Sequence, residues 1–231
     1  MNIASFQKFT MVDYPGHVAA TVFTIGCNFR CSFCHNPELV LGTASLGGDE
    51  MLKDFFKLLK ERKGKLEAVC ITGGEPTLQK DLLEFMAEIK KLGYLVKLDT
   101  NGTRPDLIKK ALDKKIVDYI AMDIKNSLKN YEKTVCSKVD LDRIKMSVEL
   151  IRNSNIDYDF RTTVVPGIHR EKDFEEIAKW IGGAKRYFLQ RFRDTKILDE
   201  NLRSKTIGKE LDLEKIKKKI EKNFGLVGIR G

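Results

Sequence analysis

No apolar run in this chain approaches the ~20 residues that a membrane-spanning helix needs. The first residues, Met1-Asn2-Ile3-Ala4-Ser5-Phe6-Gln7-Lys8, lack the charged and apolar regions of a secretory signal. The cytoplasm is therefore the expected compartment. Cysteine is scarce, with five in 231 residues. An odd number without a secretory signal argues against a disulfide framework. Histidine is scarcer still, at three. His35 and His169 have no partner at metal-ligand spacing and are expected in loops. Low-complexity segments, linkers and repeats beyond a β-α unit are missing, as is any nucleic-acid motif or aromatic–basic interleaving.

What is abundant is positive charge: 42 Lys and Arg against 33 Asp and Glu, a net +9. Much of it sits in helical stretches, such as Lys215, Lys217, Lys218, Lys219 and Lys222. A solvated helix face is the favoured reading. A surface for tRNA or an acidic protein is the competing one. The length suits one domain with a sizeable core.

The cysteines are not scattered. Cys27, Cys31 and Cys34 fall within eight residues, as C-x-x-x-C-x-x-C. Soft thiolates select iron–sulfur clusters, zinc or copper. Structural zinc takes four ligands; Cys70 or Cys136 could complete such a set, though neither sits in a paired C-x-x-C. A [4Fe–4S] cluster ordinarily takes four cysteines. Three would leave one iron open, as a catalytic centre requires, and this reading is favoured. Cys70, inside an apolar strand, reads as packing, and Cys136 as a loop residue. The two cannot hold a second four-cysteine cluster.

Apolar periodicity alternates between strand and helix. Strands are expected at Val18–Phe23, Ala68–Thr72, Leu95–Leu98, Ile116–Met122, Tyr158–Val165 and Tyr187–Phe192, with a short one at Leu226–Ile229. Helical stripes lie between them: Leu52, Phe55, Phe56 and Leu59; Leu82, Phe85, Met86 and Ile89; Leu107, Ile108, Ala111 and Leu112; Ile144, Val148 and Ile151; Phe174, Ile177, Ala178 and Ile181. Leu213, Ile216 and Ile220 mark a last helix. Asp140 and Asp212 are the expected N-caps of two of these helices. Six β-α units in series predict parallel strands with right-handed crossovers. The chain is short for eight units, so the expected fold is α/β, a partial (β/α)6 barrel. Residues 1–17 form an N-terminal β extension with a turn at Asp13-Tyr14-Pro15-Gly16, 18–192 the barrel core, and 193–231 a C-terminal helix and tail. The unusual residues fall at strand ends, which surround the active site in β/α barrels.

The cysteine spacing, with Phe33 just before Cys34, resembles the signature of the radical S-adenosylmethionine superfamily. The segments Val12-Asp13-Tyr14-Pro15-Gly16 and Cys34-His35-Asn36-Pro37-Glu38 are similar to those of glycyl-radical-enzyme activating enzymes. Among these the chain most resembles, from about Phe6 to Phe192, the activators of anaerobic ribonucleoside-triphosphate reductase. The resemblance implies the partial-barrel fold, a [4Fe–4S] cluster on Cys27, Cys31 and Cys34, and S-adenosylmethionine chelating the open iron. It implies reductive cleavage of S-adenosylmethionine to a 5′-deoxyadenosyl radical, which takes hydrogen from a glycine of a partner glycyl radical enzyme. A reductant such as flavodoxin or ferredoxin would supply the electron. Radical modification of a small molecule or tRNA base, as in deazaguanine pathways, is the alternative, and a non-catalytic iron–sulfur electron-transfer protein the third reading.

Site residues follow from the same resemblance. Gly73-Gly74-Glu75 resembles the family's GGE motif, which receives the cofactor's amino group, the glycines permitting close backbone approach. Phe33 and Asn101 join the cofactor site. Asp99-Thr100-Asn101-Gly102 and Asp123-Ile124-Lys125 are similar to segments that bind a monovalent cation beside the cofactor carboxylate in pyruvate formate-lyase activators. Lys125 and Arg161 offer fixed positive charge to that carboxylate or the ribose. For Arg161, mid-strand, pairing with a core carboxylate is the competing role. One departure stands out: pyruvate formate-lyase activators end the last strand Leu-Pro-Tyr-His, whereas Leu189-Gln190-Arg191-Phe192 stands here. Gln190 is the expected substitute for the missing histidine, and the departure favours a reductase partner. Asp13 is expected to touch the partner's glycine loop.

Overall fold

The computed structural model describes residues 1–45 and 47–231, with every side chain of these except that of Lys205. β1 (Ile3–Thr10) leads into β2 (Ala19–Thr24). The cysteine loop follows, then α1 (Pro37–Leu41) and α2 (Gly48–Glu61). Strand–helix units come next: β3 (Ala68–Gly73) with α3 (Leu82–Lys91), and β4 (Leu95–Thr100) with α4 (Pro105–Asp113). β5 (Tyr119–Asp123) precedes α5 (Tyr131–Val135) and α6 (Leu141–Arg152). β6 (Asp157–Val164) is followed by α7 (Glu171–Ile181), and β7 (Arg186–Arg191) by α8 (Leu202–Thr206) and α9 (Leu213–Ile220). β8 (Leu226–Arg230) comes last.

The eight strands form one sheet in chain order. β1 runs antiparallel to β2, and β2 to β8 are parallel throughout. The six expected strands are β2–β7. The short C-terminal run adds a seventh parallel member, pairing Leu226 with Arg186 and Arg230 with Gln190. The strand expected from Ile116 starts only at Tyr119. The reason is local: Lys115 takes a left-handed φ of 53°, and the Ile116 amide donates back to the Ala111 carbonyl at 3.1 Å. Helices α1, α5 and α8, of five residues each, are too short to show a period of 3.6.

Successive residues of a strand face opposite ways. Outward residues such as Val22, Ile71, Leu98, Phe160 and Leu189 pack under Phe55, Phe85, Ile108, Ile144 and Phe174 in the main apolar core. The inner face is different. Thr21, Cys70, Lys97 and Tyr119 lie in register across β2–β5, and the inner apolar cluster among the described residues is Tyr14, Ala19, Ala68, Tyr119 and Ala121, with Leu95 against it. Tyr14 closes the N-terminal end of the strands, its ring 5.6 Å from that of Tyr119. The adjoining Asp13 accepts a hydrogen bond from Thr21 Oγ1 at 2.6 Å. Asp13 is thus held beside β2 and stays partly exposed.

Both expected N-caps form. Asp140 accepts from the amides of Asp142 and Arg143, and Asp212 from that of Lys215. Two lysines of α9, Lys215 and Lys219, reach Glu171 at 2.9 and 2.8 Å, in keeping with a solvated, charge-paired helix face. Among the described residues no helix is long and apolar enough to cross a membrane.

Candidate active site

The ends of β2 and β3 lock together before the cysteine loop begins. The Gly74 amide donates to the Thr24 carbonyl at 2.9 Å and the Glu75 amide to the Gly26 carbonyl at 2.7 Å. A Cβ on Gly74 would lie 2.1 Å from the Gly26 oxygen, and one on Gly73 2.3 Å from the Thr24 nitrogen. The close approach that these glycines permit is therefore between two strands of the chain itself. It fixes the takeoff of the loop at Cys27.

The loop is anchored on both sides. The Cys34 amide donates to the Cys31 carbonyl at 3.0 Å, and the Arg30 amide to the Val135 carbonyl of α5 at 2.9 Å. Phe29 is buried edge-on to Tyr131, with ring centroids 6.4 Å apart. Cys31 is buried, while Cys27 and Cys34 are partly exposed. Burial pushes the Cys27 thiol up to about 11 and that of Cys31 up to about 12. Cys27 and Cys31 thus favour the thiol form in the free site, and a bound metal centre must release those protons. Among the described residues no three His, Cys, Asp or Glu side chains converge on a single metal ion.

All three cysteines open onto a cavity of about 190 Å³ at the C-terminal ends of the strands. Its walls include Phe33, Gly73, Gly74, Glu75, Asp99, Asn101, Asp123, Lys125 and Arg161. Every expected site residue except Gln190 thus meets at one place. Gln190 is half-buried on β7 in register with Thr163 and Arg230, and does not line the cavity.

Glu75 faces inward from the wall. Its side chain is 1 % exposed and accepts from the amide and hydroxyl of Thr77, from Thr100 Oγ1 at 2.7 Å and from the Asn101 amide at 2.6 Å. Burial pushes its carboxyl up, and the donors pull it back only in part. The carboxylate ties the end of β3 to the end of β4, leaving the Gly73–Glu75 backbone to the cavity. Asn101 in turn donates to Asn28 Oδ1 at 2.8 Å, joining the β4 end to the cysteine loop.

The floor is a chain of alternating charges. Lys97 Nζ donates to Asp99 Oδ1. Arg161 donates from Nη2 to Asp99 Oδ2 at 3.0 Å and from Nε to Asp123 Oδ1 at 2.6 Å. Lys125 Nζ donates to Asp123 Oδ2 at 2.7 Å. Burial alone would raise both carboxyls, but Arg161, helped by Lys97 and Lys125, holds them below the usual range. Burial likewise works against the Lys97 and Lys125 ammoniums, and the paired aspartates keep both above their ordinary value. Both roles weighed for Arg161 are realised, since it pairs carboxylates and lines the cavity. The resemblance implies a monovalent cation at Asp99 and Asp123, and here each of their four oxygens accepts a hydrogen bond from a protein cation.

Sequence reasoning missed two residues. Lys97 is 3 % exposed, with Nζ 3.6 Å from Cys70 Sγ. Its signal was available: a charge inside an apolar strand, two residues before Asp99. His169 lies in the loop between β6 and α7, as expected, but is only 2 % exposed. Its Nδ1 accepts from the Val165 amide at 3.0 Å, which leaves Nε2 to donate to the Lys125 carbonyl at 2.8 Å. It also packs edge-on near Phe33. No local pattern marks it.

With this geometry in hand, the relatives fall into one group. The family model of the Radical SAM superfamily matches residues 21–181. A protein of Methanocaldococcus jannaschii, provisionally named a glycyl-radical enzyme activating enzyme, is 32 % identical over 99 % of this chain and 95 % of its own. The pyruvate formate-lyase-activating enzyme of Clostridium pasteurianum is 34 % identical over 54 % of this chain and 52 % of its own. Streptococcus suis SuiB bound to S-adenosylmethionine superposes with a TM-score of 0.66 at 15 % identity, over 90 % of this chain and 47 % of that one; the likeness bears on the fold, and the chain spans about half of that structure. Members of the superfamily use a [4Fe–4S] cluster and S-adenosylmethionine, which the thiol set and cavity described above suit. The chain belongs to the Radical SAM superfamily.

Proposed function

We propose that this chain activates a glycyl radical enzyme, and that the partner is an anaerobic ribonucleoside-triphosphate reductase. The observation that carries the reading is the shared cavity, where three thiols face a charged floor at the open ends of the parallel strands. Cys27, Cys31 and Cys34 would hold the cluster. Cluster and S-adenosylmethionine together supply a one-electron cleavage that yields a hydrogen-abstracting 5′-deoxyadenosyl radical. The protein's task is then to bind, orient and shield.

Lys125 and Arg161 would hold the cofactor's carboxylate, the Gly73–Glu75 backbone its ammonium, and Phe33 and Asn101 its flank. The charged floor carries three cations against two carboxylates, so it favours one more anionic group. The sheet order leaves β1 and β8 as separate edges, and an unclosed sheet leaves room for a macromolecular loop to reach the strand ends. The reductase is preferred over a pyruvate formate-lyase because Leu189-Gln190-Arg191-Phe192 carries no histidine and Gln190 lies away from the cavity. A flavodoxin or ferredoxin would deliver the electron.

The test is anaerobic incubation of the reduced protein with S-adenosylmethionine and the reductase. A doublet signal on a reductase glycine is expected by electron paramagnetic resonance, with deuterium from that glycine recovered in 5′-deoxyadenosine. Label arriving instead from a nucleoside or tRNA, with no partner radical, would replace this reading by base modification.

A further inference from the structure

The segments around Asp99 and Asp123 resemble those to which pyruvate formate-lyase activators bind a monovalent cation, yet here protein cations reach both carboxylates. Lys97 is the unusual member. It sits mid-strand on β4 and shares the inner face with Asp99, two residues on. Its neighbours in register are Cys70 on β3 and Tyr119 on β5. Cys70 is a buried thiol that burial holds protonated, and the Tyr119 ring lies under the ammonium at 5.8 Å. Asp99 is thus the carboxylate that holds the Lys97 charge.

The side chains of Lys97, Asp99 and Arg161 are 4, 12 and 16 % exposed. In such a setting fixed charges a few Å apart interact strongly. Three cations and two anions leave the group at a net single positive charge. A further metal cation would raise that charge in a largely buried site and would have to compete for oxygens that already accept from nitrogen donors. Without it, the excess charge suits one anionic ligand group.

We propose that Lys97, with Arg161, takes the place of the monovalent metal cation in this chain, so that S-adenosylmethionine binds without sodium or potassium. The inference rests on the proposed cofactor site, and its test separates the two. Anaerobic calorimetry with S-adenosylmethionine is run on the cluster-loaded protein in potassium, sodium or tetramethylammonium chloride at one ionic strength. Affinities within about twofold in all three salts are expected; a tenfold or greater loss in tetramethylammonium would overturn the inference while upholding the cofactor site.

A second arm uses the cluster-free protein alone. An ion that binds only the native state raises the melting temperature, so equal melting in the three salts is expected and a specific rise in potassium or sodium would overturn the inference. This arm stands even if no cofactor binds, an outcome that would refute the proposed function instead. Lys97→Met removes the built-in charge and should gain a roughly tenfold preference for potassium or sodium over tetramethylammonium, a shift of about 1.4 kcal/mol. Lys97→Arg should remain indifferent. A Lys97→Met protein that folds and stays indifferent would remove Lys97 from this role.

Discussion

The imidazole of His169 holds the backbone carbonyl of Lys125 at 2.8 Å, while its other nitrogen accepts from the Val165 amide. Both contacts need a neutral ring with its proton on Nε2. His169 thereby fixes the strand end that delivers Asp123 and Lys125 to the cavity, although it does not line the cavity itself.

A pH dependence follows. Burial lowers the His169 pKa from its ordinary 6.5. As pH falls through 6.5 the unfolded imidazole takes up a proton that the folded one resists. The contribution is therefore present above pH 6.5 and is lost below it. Urea unfolding of the cluster-free protein should show stability falling between pH 7.5 and 5.5. His169→Leu should cost about 1–3 kcal/mol at pH 7.5, since it leaves the buried Val165 amide without its acceptor, and the gap should narrow toward pH 5.5. A constant gap would mean that the ring does not titrate with folding.

Arg161 on β6 spans β5 to reach Asp99 on β4 as well as Asp123 beside it. Removing one member of a buried charge group leaves the others uncompensated. Arg161→Ala should cost about 3–5 kcal/mol in the cluster-free protein. Arg161→Lys, a single point charge in place of a planar fork, should recover only part of that. Equilibrium denaturation at pH 7 checks both, and a cost below about 1 kcal/mol for Arg161→Ala would show the charge chain to be solvated and weak.

Gly74 tests the strand junction. An alanine Cβ would collide with the Gly26 carbonyl, a backbone atom that cannot rotate away. Gly74→Ala should lower stability by about 1–3 kcal/mol or more and shift the takeoff of the cysteine loop, lowering iron uptake as well. Gly16, which has no neighbour within 4 Å of such a Cβ but a φ of +79°, is a control for conformational cost alone. Equal losses at the two sites would refute the collision argument.

Much of this was readable in the sequence. The outer face of each strand and the buried stripe of each long helix follow from simple periods, and Asp140 and Asp212 announce their helices. The cysteine loop identifies itself by spacing. What stayed hidden depends on cross-strand register. Nothing local to Asp99 reveals that Arg161, sixty-two residues away, fills its second oxygen. The glycine pair reads equally well as a cradle for a ligand or as a strand contact, and only the position of Gly26 decides. Gln190 shares the inner face with Thr163, yet the cavity stops short of it, and the contact of Asp13 with Thr21 follows from how the N-terminal turn folds under the strands. Lys97 was the avoidable omission, since a lysine alternating with valine and leucine carries the same warning as Arg161.

The account stands most directly on the metal content of cysteine variants after anaerobic reconstitution. Four irons per chain are expected for the unaltered protein, for Cys70→Ser and for Cys136→Ser. Cys27→Ser, Cys31→Ser and Cys34→Ser should each lose the cluster, because a hydroxyl is a poor ligand for a soft metal, and should form no 5′-deoxyadenosine. Stoichiometric zinc in place of iron, or a cluster that requires Cys70 or Cys136 as a fourth ligand, would contradict the account.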